Sequence, residues 1–234
     1  RQAARRQAAK PLVAAVRRTA AVGETDMAIG LNSVRHDVAS LEEAIELYHA
    51  KGWTDGLPVM PPTEERVRAF VEAAGRGPQE VLGGIRERAR AITVEKVAIN
   101  AVMAGCLPGY MPVLVAAVEA MSTSRFNLHA CAASTGGSAP LLIVNGPIVK
   151  SLGFNAGVNV FGQGWRANAT VGRAIRLIIQ NVCAGTPGVM DKSTMGHPGK
   201  FSYCIAENED GPWAPLHAER GLSAGESAVT VFAG

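Results

Sequence analysis

Ala139–Pro147 reads APLLIVNGP, and the class of fold turns on it. Leu141 to Val144 form an unbroken apolar run, stopped by Asn145-Gly146-Pro147. Such a run between turn residues is the pattern of a strand covered on both faces, too short for a helix of its own. Toward the C-terminus, Phe201, Tyr203 and Ile205 alternate with Ser202, Cys204 and Ala206, a period of two that predicts a second strand. Ala228 to Phe232 predicts a third. It runs nearly to Gly234, as expected of a segment that continues in a longer chain.

Toward the N-terminus the period changes to that of helices. Ser40-Leu-Glu-Glu43 is a capping box, followed by Leu41, Ala44, Ile45, Leu47 and Tyr48 on one face and a stop at Gly52. Pro58, Pro61 and Pro62 forbid helix, and Thr63 then caps a helix that starts with Glu64 and Glu65 and runs to about Ala74. A third helix from Thr93 turns Val94, Val97, Ala98, Ala101 and Val102 inward and ends near Gly105. Pro112 opens a fourth, since a missing N–H costs little in a first turn. Helices come first, then strands mixed with helices around a small central sheet. The expectation is an α+β or mixed α/β fold, with residues 1–38 as arm and linker and residues 39–234 as one domain.

Charge divides the chain in the same way. Arg1, Arg5, Arg6, Lys10, Arg17 and Arg18 all precede the first acid, Glu24; without those six, 17 basic residues face 20 acidic ones. A basic arm is thus joined to a mildly acidic body. Leu12, Val13 and Val16 suit one amphipathic helix in that arm. With no aromatic among its charges, docking to a partner is expected in preference to nucleic acid. No run approaches the roughly 18 apolar residues of a membrane span. Cys106, Cys131, Cys183 and Cys204 contain no C-x-x-C pair, so neither a zinc knuckle nor a disulfide scaffold is expected. The reading is a cytoplasmic protein with reduced thiols. Its Ala- and Val-rich helix faces suggest a homo-oligomer or a partner subunit.

Candidate chemistry collects in four places. Gly162-Gln-Gly164-Trp-Arg166 precedes a helix expected to be capped by Asn168. Free amides at a helix start, glycines that admit a ligand and a planar guanidinium would together hold an anion. Arg173 and Arg176, farther along, read as surface or interface charges. The loop from Gly188 to Asp210 carries Asp191, Lys192, Ser193, Thr194, His197 and Lys200, with Glu207 at the end of the following strand. There His197 would move protons, Lys192 and Lys200 would hold an anion, and Glu207 would orient His197 or bind a cation. His129 and Cys131 are two apart, so an extended backbone would set an imidazole beside a thiol, ahead of the glycine-rich Ser134-Thr-Gly-Gly137-Ser138. Cys106, between the end of one helix and the start of the next, is a further reactive candidate. Cys183 reads as packing.

The segments GWTDGLPVMPPT, TVEKVAINAVMAGCLPGYMPVLVAAVEAM, FNLHACAASTGGSAPLLIVNGPI, RANATVGRAIRLI and MDKSTMGHPGKFSYCIAENE can be taken together. In wording they resemble a poorly characterised bacterial family associated with UGSC-motif (seleno)proteins. The resemblance spans about Leu41 to Arg220 and implies thiol- or selenol-dependent redox chemistry. It carries over no catalytic residue, because this chain holds no UGSC or CGSC segment.

The function expected from these features is an enzyme acting on a small anionic substrate. Gly162, Gly164, Arg166, Asn168, Lys192, Lys200 and Glu207 would bind it, and Cys106 or Cys131, with His129 and His197, would do the chemistry. A non-catalytic assembly or ligand-binding subunit of a redox complex is the alternative. Metal-assisted hydrolysis through His129, His197, Glu207 and Glu209 ranks last, since no H-E-x-x-H spacing is present. No motif names a cofactor.

Overall fold

Capping side chains fix where the first helices begin. The computed structural model describes residues 12–16 and 30–234. After strand β1 (Leu12–Val16), α1 (Leu41–Ala50) starts where Ser40 accepts the Glu43 N–H. Glu43 reaches back to the Ala39 N–H, one residue before the cap. Thr63 caps α2 (Glu64–Ala74) in the same way, and Gly75 ends it in the left-handed conformation. A two-stranded hairpin follows, β2 (Val81–Ile85) against β3 (Arg90–Thr93). Thr93 then caps α3 (Val94–Ala104).

The buried centre is α4 (Met111–Met121), where Met111, Leu114 and Met121 have no exposed surface. After α5 (Leu128–Ala132) come β4 (Pro140–Asn145), α6 (Ile148–Leu152) and the long α7 (Arg166–Asn181). The chain ends with β5 (Cys204–Ala206), α8 (Leu216–Glu219) and β6 (Ser227–Ala233). The main sheet runs β1-β6-β4-β5; β4 and β5 are parallel and the other neighbours antiparallel. Register places Leu142 opposite Val231 and Val144 opposite Val229. These four belong to the main core, and α4 packs against β6 and β1. α3 lies along α7, and both also contact α4.

The fold is therefore mixed α+β, as the sequence predicts, with four corrections. Leu12–Val16 is an edge strand on β6 and not a helix: pairing with the sheet overrides a weak local period. The rest of the basic arm lies outside the described residues. The second strand is cut to Cys204–Ala206, and its buried side chains are Cys204 and Ala206. Phe201 is exposed, because Pro198–Lys200 forms a single 3-10 turn that rotates the chain before the strand begins. Residues 128–132 are helical, capped by Asn127, and not extended. Finally, β4 is fully buried on one face only; Leu141 and Ile143 keep some exposure on the other.

Candidate functional site: a buried charge cluster beside Cys131

Two loops and one helix build the site. Ser134–Ser138 leaves α5 toward β4, and the loop from Asp191 docks on it: the Lys192 N–H donates to Ser134 O at 3.1 Å and the Thr194 N–H to Thr135 O at 3.0 Å. The Ser193 hydroxyl closes the seam on Gly136 O at 2.6 Å. Beneath both runs α7, whose Arg176 is 8% exposed. Arg176 is therefore no surface charge, as its helical position suggests, but lies under the loops.

Asp191 is the hub. It accepts from Arg176 Nη2 at 3.1 Å, from Lys200 Nζ at 3.0 and 2.9 Å, and from the Ser193 hydroxyl at 2.8 Å. Burial would push its carboxyl up, but Lys200 and Ser193 outweigh this and hold it below the usual carboxylate range. Arg176 Nε donates to Lys200 O at 3.0 Å, which leaves Nη1 buried without a hydrogen-bond partner. Two cations thus share one carboxylate, and one guanidinium nitrogen is unspent.

Cys131 adjoins this cluster. Its sulfur lies 3.1 Å from the Ser138 hydroxyl, and its residue is 6% exposed. Burial raises the thiol above its ordinary value, while Ser138, Arg176 and Lys200 pull it back. Asp191 opposes those two cations, so the field at the sulfur is mixed. His197 flanks the glycine loop, stacked edge-on to Tyr203 with ring centroids 5.7 Å apart. The Gly199 N–H donates to His197 Nδ1 at 3.1 Å. In the neutral ring that bond assigns the proton to Nε2, the nitrogen left to serve as donor.

The other expected residues do not join the cluster. The helix begins at Arg166, not Asn168. Asn168 points inward and exchanges bonds of 2.8 and 3.0 Å with the backbone of Asn155. Gly162 closes a turn on Asn159, and Gly164 sits at φ 112 in open space. Arg166 folds onto the end of α3, donating to Gly105 O at 2.9 Å and Cys106 O at 3.3 Å. These four residues therefore make no joint anion cradle. His129 and Cys131 share a helix, where neighbours two apart point in different directions, so the imidazole does not activate that thiol. Lys192 contributes through its backbone. Glu207 accepts from Asn145 Nδ2 and, at 2.8 Å, from the Leu216 N–H; it does not orient His197.

The remaining thiols are buried and raised. Cys106 donates to Thr170 O at 3.3 Å, and burial pushes it up to about 12 despite Arg166. Burial does the same to Cys183, also to about 12, and raises Cys204 further. All four are free and buried. Among the described residues no group of three or more His, Cys, Asp or Glu side chains is arranged to hold a metal ion, and no helix is long and apolar enough to cross a membrane.

Sequence reasoning missed Arg176 and Ser138 as members of one site. Each sits beside a feature that is legible, but their meeting depends on how α7 passes under two loops. No protein-family model, curated protein or solved structure matches the chain. The functional reading rests on its own residues.

Proposed function

We propose that the protein acts on a small oxyanion of carboxylate, phosphate or sulfate type, held over the Arg176–Asp191–Lys200 cluster, with Cys131 as the reacting thiol and His197 Nε2–H as a hydrogen-bond donor to the anion. One observation carries the binding half: Arg176 is buried, in a cluster one negative charge short, and its Nη1 has no partner. An unpaired buried charge is costly, and a bound anion relieves that cost. The Ser138 hydroxyl and the Cys131 thiol meet at 3.1 Å, and both Arg176 and Lys200 act electrostatically on that thiol. Support for the thiol half is comparative. Cys131 is the cysteine that both Arg176 and Lys200 pull toward ionisation, and it is not driven to the heights of the other three.

The burial of all four thiols supports a second reading, a ligand-binding subunit without catalysis. One experiment separates the two. Native protein is titrated with acetate, phosphate and sulfate, and alkylation of each cysteine by iodoacetamide is followed by mass spectrometry. The enzyme reading expects Cys131 to be labelled first and to be protected by phosphate, with protection lost in Arg176→Gln. Phosphate binding with Cys131 labelled no faster than Cys183 would leave the binding subunit standing. If no anion of the three types binds, both readings fall.

A further inference from the structure

A second feature lies at the other end of α7, away from the cluster. Met60, Ala69, Phe70, Val102, Cys106 and Pro108 enclose a groove of about 240 Å³, bordered also by Gly105. Its floor is apolar, since Phe70, Val102 and Cys106 are buried. Its charged lining consists of two guanidinium groups, Arg66 and Arg166, and no carboxylate. Among the described residues neither arginine forms an ion pair. Both are nonetheless fixed in place. Arg66 Nη1 donates to Pro61 O at 2.9 Å, and Arg166 spans the carbonyls of Gly105 and Cys106.

Carbonyl anchors orient a guanidinium while leaving its charge uncancelled. The partial negative charge at the end of α3 offsets some of the charge on Arg166. Arg66 shares the first turn of α2 with Glu64 and Glu65, but it pairs with neither, and neither carboxylate lines the groove. Two guanidinium groups, exposed but oriented by their carbonyl anchors over an apolar floor, are complementary to a carboxylate with a short hydrocarbon body. Size agrees, because the volume falls below the roughly 300 Å³ at which drug-sized sites begin.

We infer that this groove is a separate binding site for a small amphipathic carboxylate, its carboxylate between Arg66 and Arg166 and its hydrocarbon part on Phe70 and Val102. The site is independent of the oxyanion reading at Cys131, and either can fail without the other. The buried Cys106 thiol forms part of the floor and takes no part in chemistry.

The test is calorimetric titration of the whole protein with pentanoate, pentanamide, pentylammonium and acetate. Pentanoate is expected to bind at least about tenfold more tightly than the neutral amide, since a guanidinium–carboxylate pair is a strong charge-assisted contact. Acetate, lacking the tail, should bind more weakly than pentanoate, and pentylammonium should not bind. Arg66→Gln should cost about tenfold in pentanoate affinity. Arg166 also tethers the end of α3, so the second variant is Ala69→Trp, which fills the groove from the exposed face of α2 and should abolish binding in a folded protein. Equal affinities for pentanoate and pentanamide would overturn the inference, as would wild-type affinity in Arg66→Gln or Ala69→Trp. Phosphate at saturation should leave pentanoate binding unchanged; competition between them would merge the two sites and defeat this one.

Discussion

Asp191 holds two cations at once, and the consequences of losing it differ from those at an ordinary ion pair. Its carboxylate and the side chains of Arg176 and Lys200 are each at most 13% exposed. Asp191→Asn keeps the shape and removes the carboxylate charge that both cations share. Breaking a buried pair typically costs about 3–5 kcal/mol, and here two cations would be stranded. The Asp191→Asn protein should therefore melt well below the wild type. It should also respond more strongly to added sulfate, because an anion drawn to the cluster replaces the lost charge. Thermal melts of both proteins, with and without sulfate, check this. Equal sulfate effects would mean that no anion reaches Arg176. At this scale the sequence is informative about residue types and silent about partners. Asp191, Lys200 and Cys131 are legible as chemistry-bearing, but Arg176 reads as a surface or interface charge, because helical spacing cannot say what passes over it.

At the scale of elements, close approach is decided by a glycine. Gly172 lies inside α7, and a Cβ there would come within 2.5 Å of the Ser202 hydroxyl and 2.6 Å of the Tyr203 backbone nitrogen. Helix propensity alone would favour Gly172→Ala by roughly 1 kcal/mol. Backbone cannot yield as a flexible side chain can, so overpacking, typically about 1–3 kcal/mol, should win and the variant should be destabilised. Urea midpoints decide the sign. A stabilised Gly172→Ala would show that α7 and the segment before β5 do not meet this closely. The capped helices are legible because a cap is a local device: Ser40, Thr63 and Thr93 each hold an amide three residues on. The start of α7 is misplaced by sequence for the opposite reason. Asn168 has the chemistry of a cap but spends it on Asn155, a partner thirteen residues back, and the helix opens at Arg166 with no side-chain cap. β1 and the β2–β3 hairpin escape for another reason: LVAAV is apolar throughout and shows no period of two, Gly83 and Gly84 interrupt β2, and pairing supplies what pattern does not.

For the whole molecule, three carboxylates tie segments distant in sequence to the helical core. Asp55 grips Arg173 of α7 with two bonds of 2.8 Å. Glu95 of α3 accepts the Asn32 and Ser33 N–H groups at 3.0 and 2.8 Å. Asp191 ties the loop before β5 to α7. Burial would raise all three carboxyls, yet Arg173 at Asp55, the Ser33, Asn32 and Gln79 donors at Glu95, and Lys200 with Ser193 at Asp191 bring each below its ordinary value. The linkage sign follows from that depression. The unfolded chain binds these protons more readily than the folded one, so stability rises with pH across the window between the two pKa values. The stabilisation is complete above the ordinary values of 3.8 and 4.5 and is lost as pH falls through the lower, folded ones. Through these groups, urea midpoints should therefore vary little with pH between about pH 6 and pH 8 and should fall steeply below about pH 4. Asp55→Asn should flatten part of that acid limb, because the variant has one fewer proton to take up on unfolding. An acid limb of the same steepness in wild type and Asp55→Asn would show that the Arg173 pair does not hold its carboxyl down in solution.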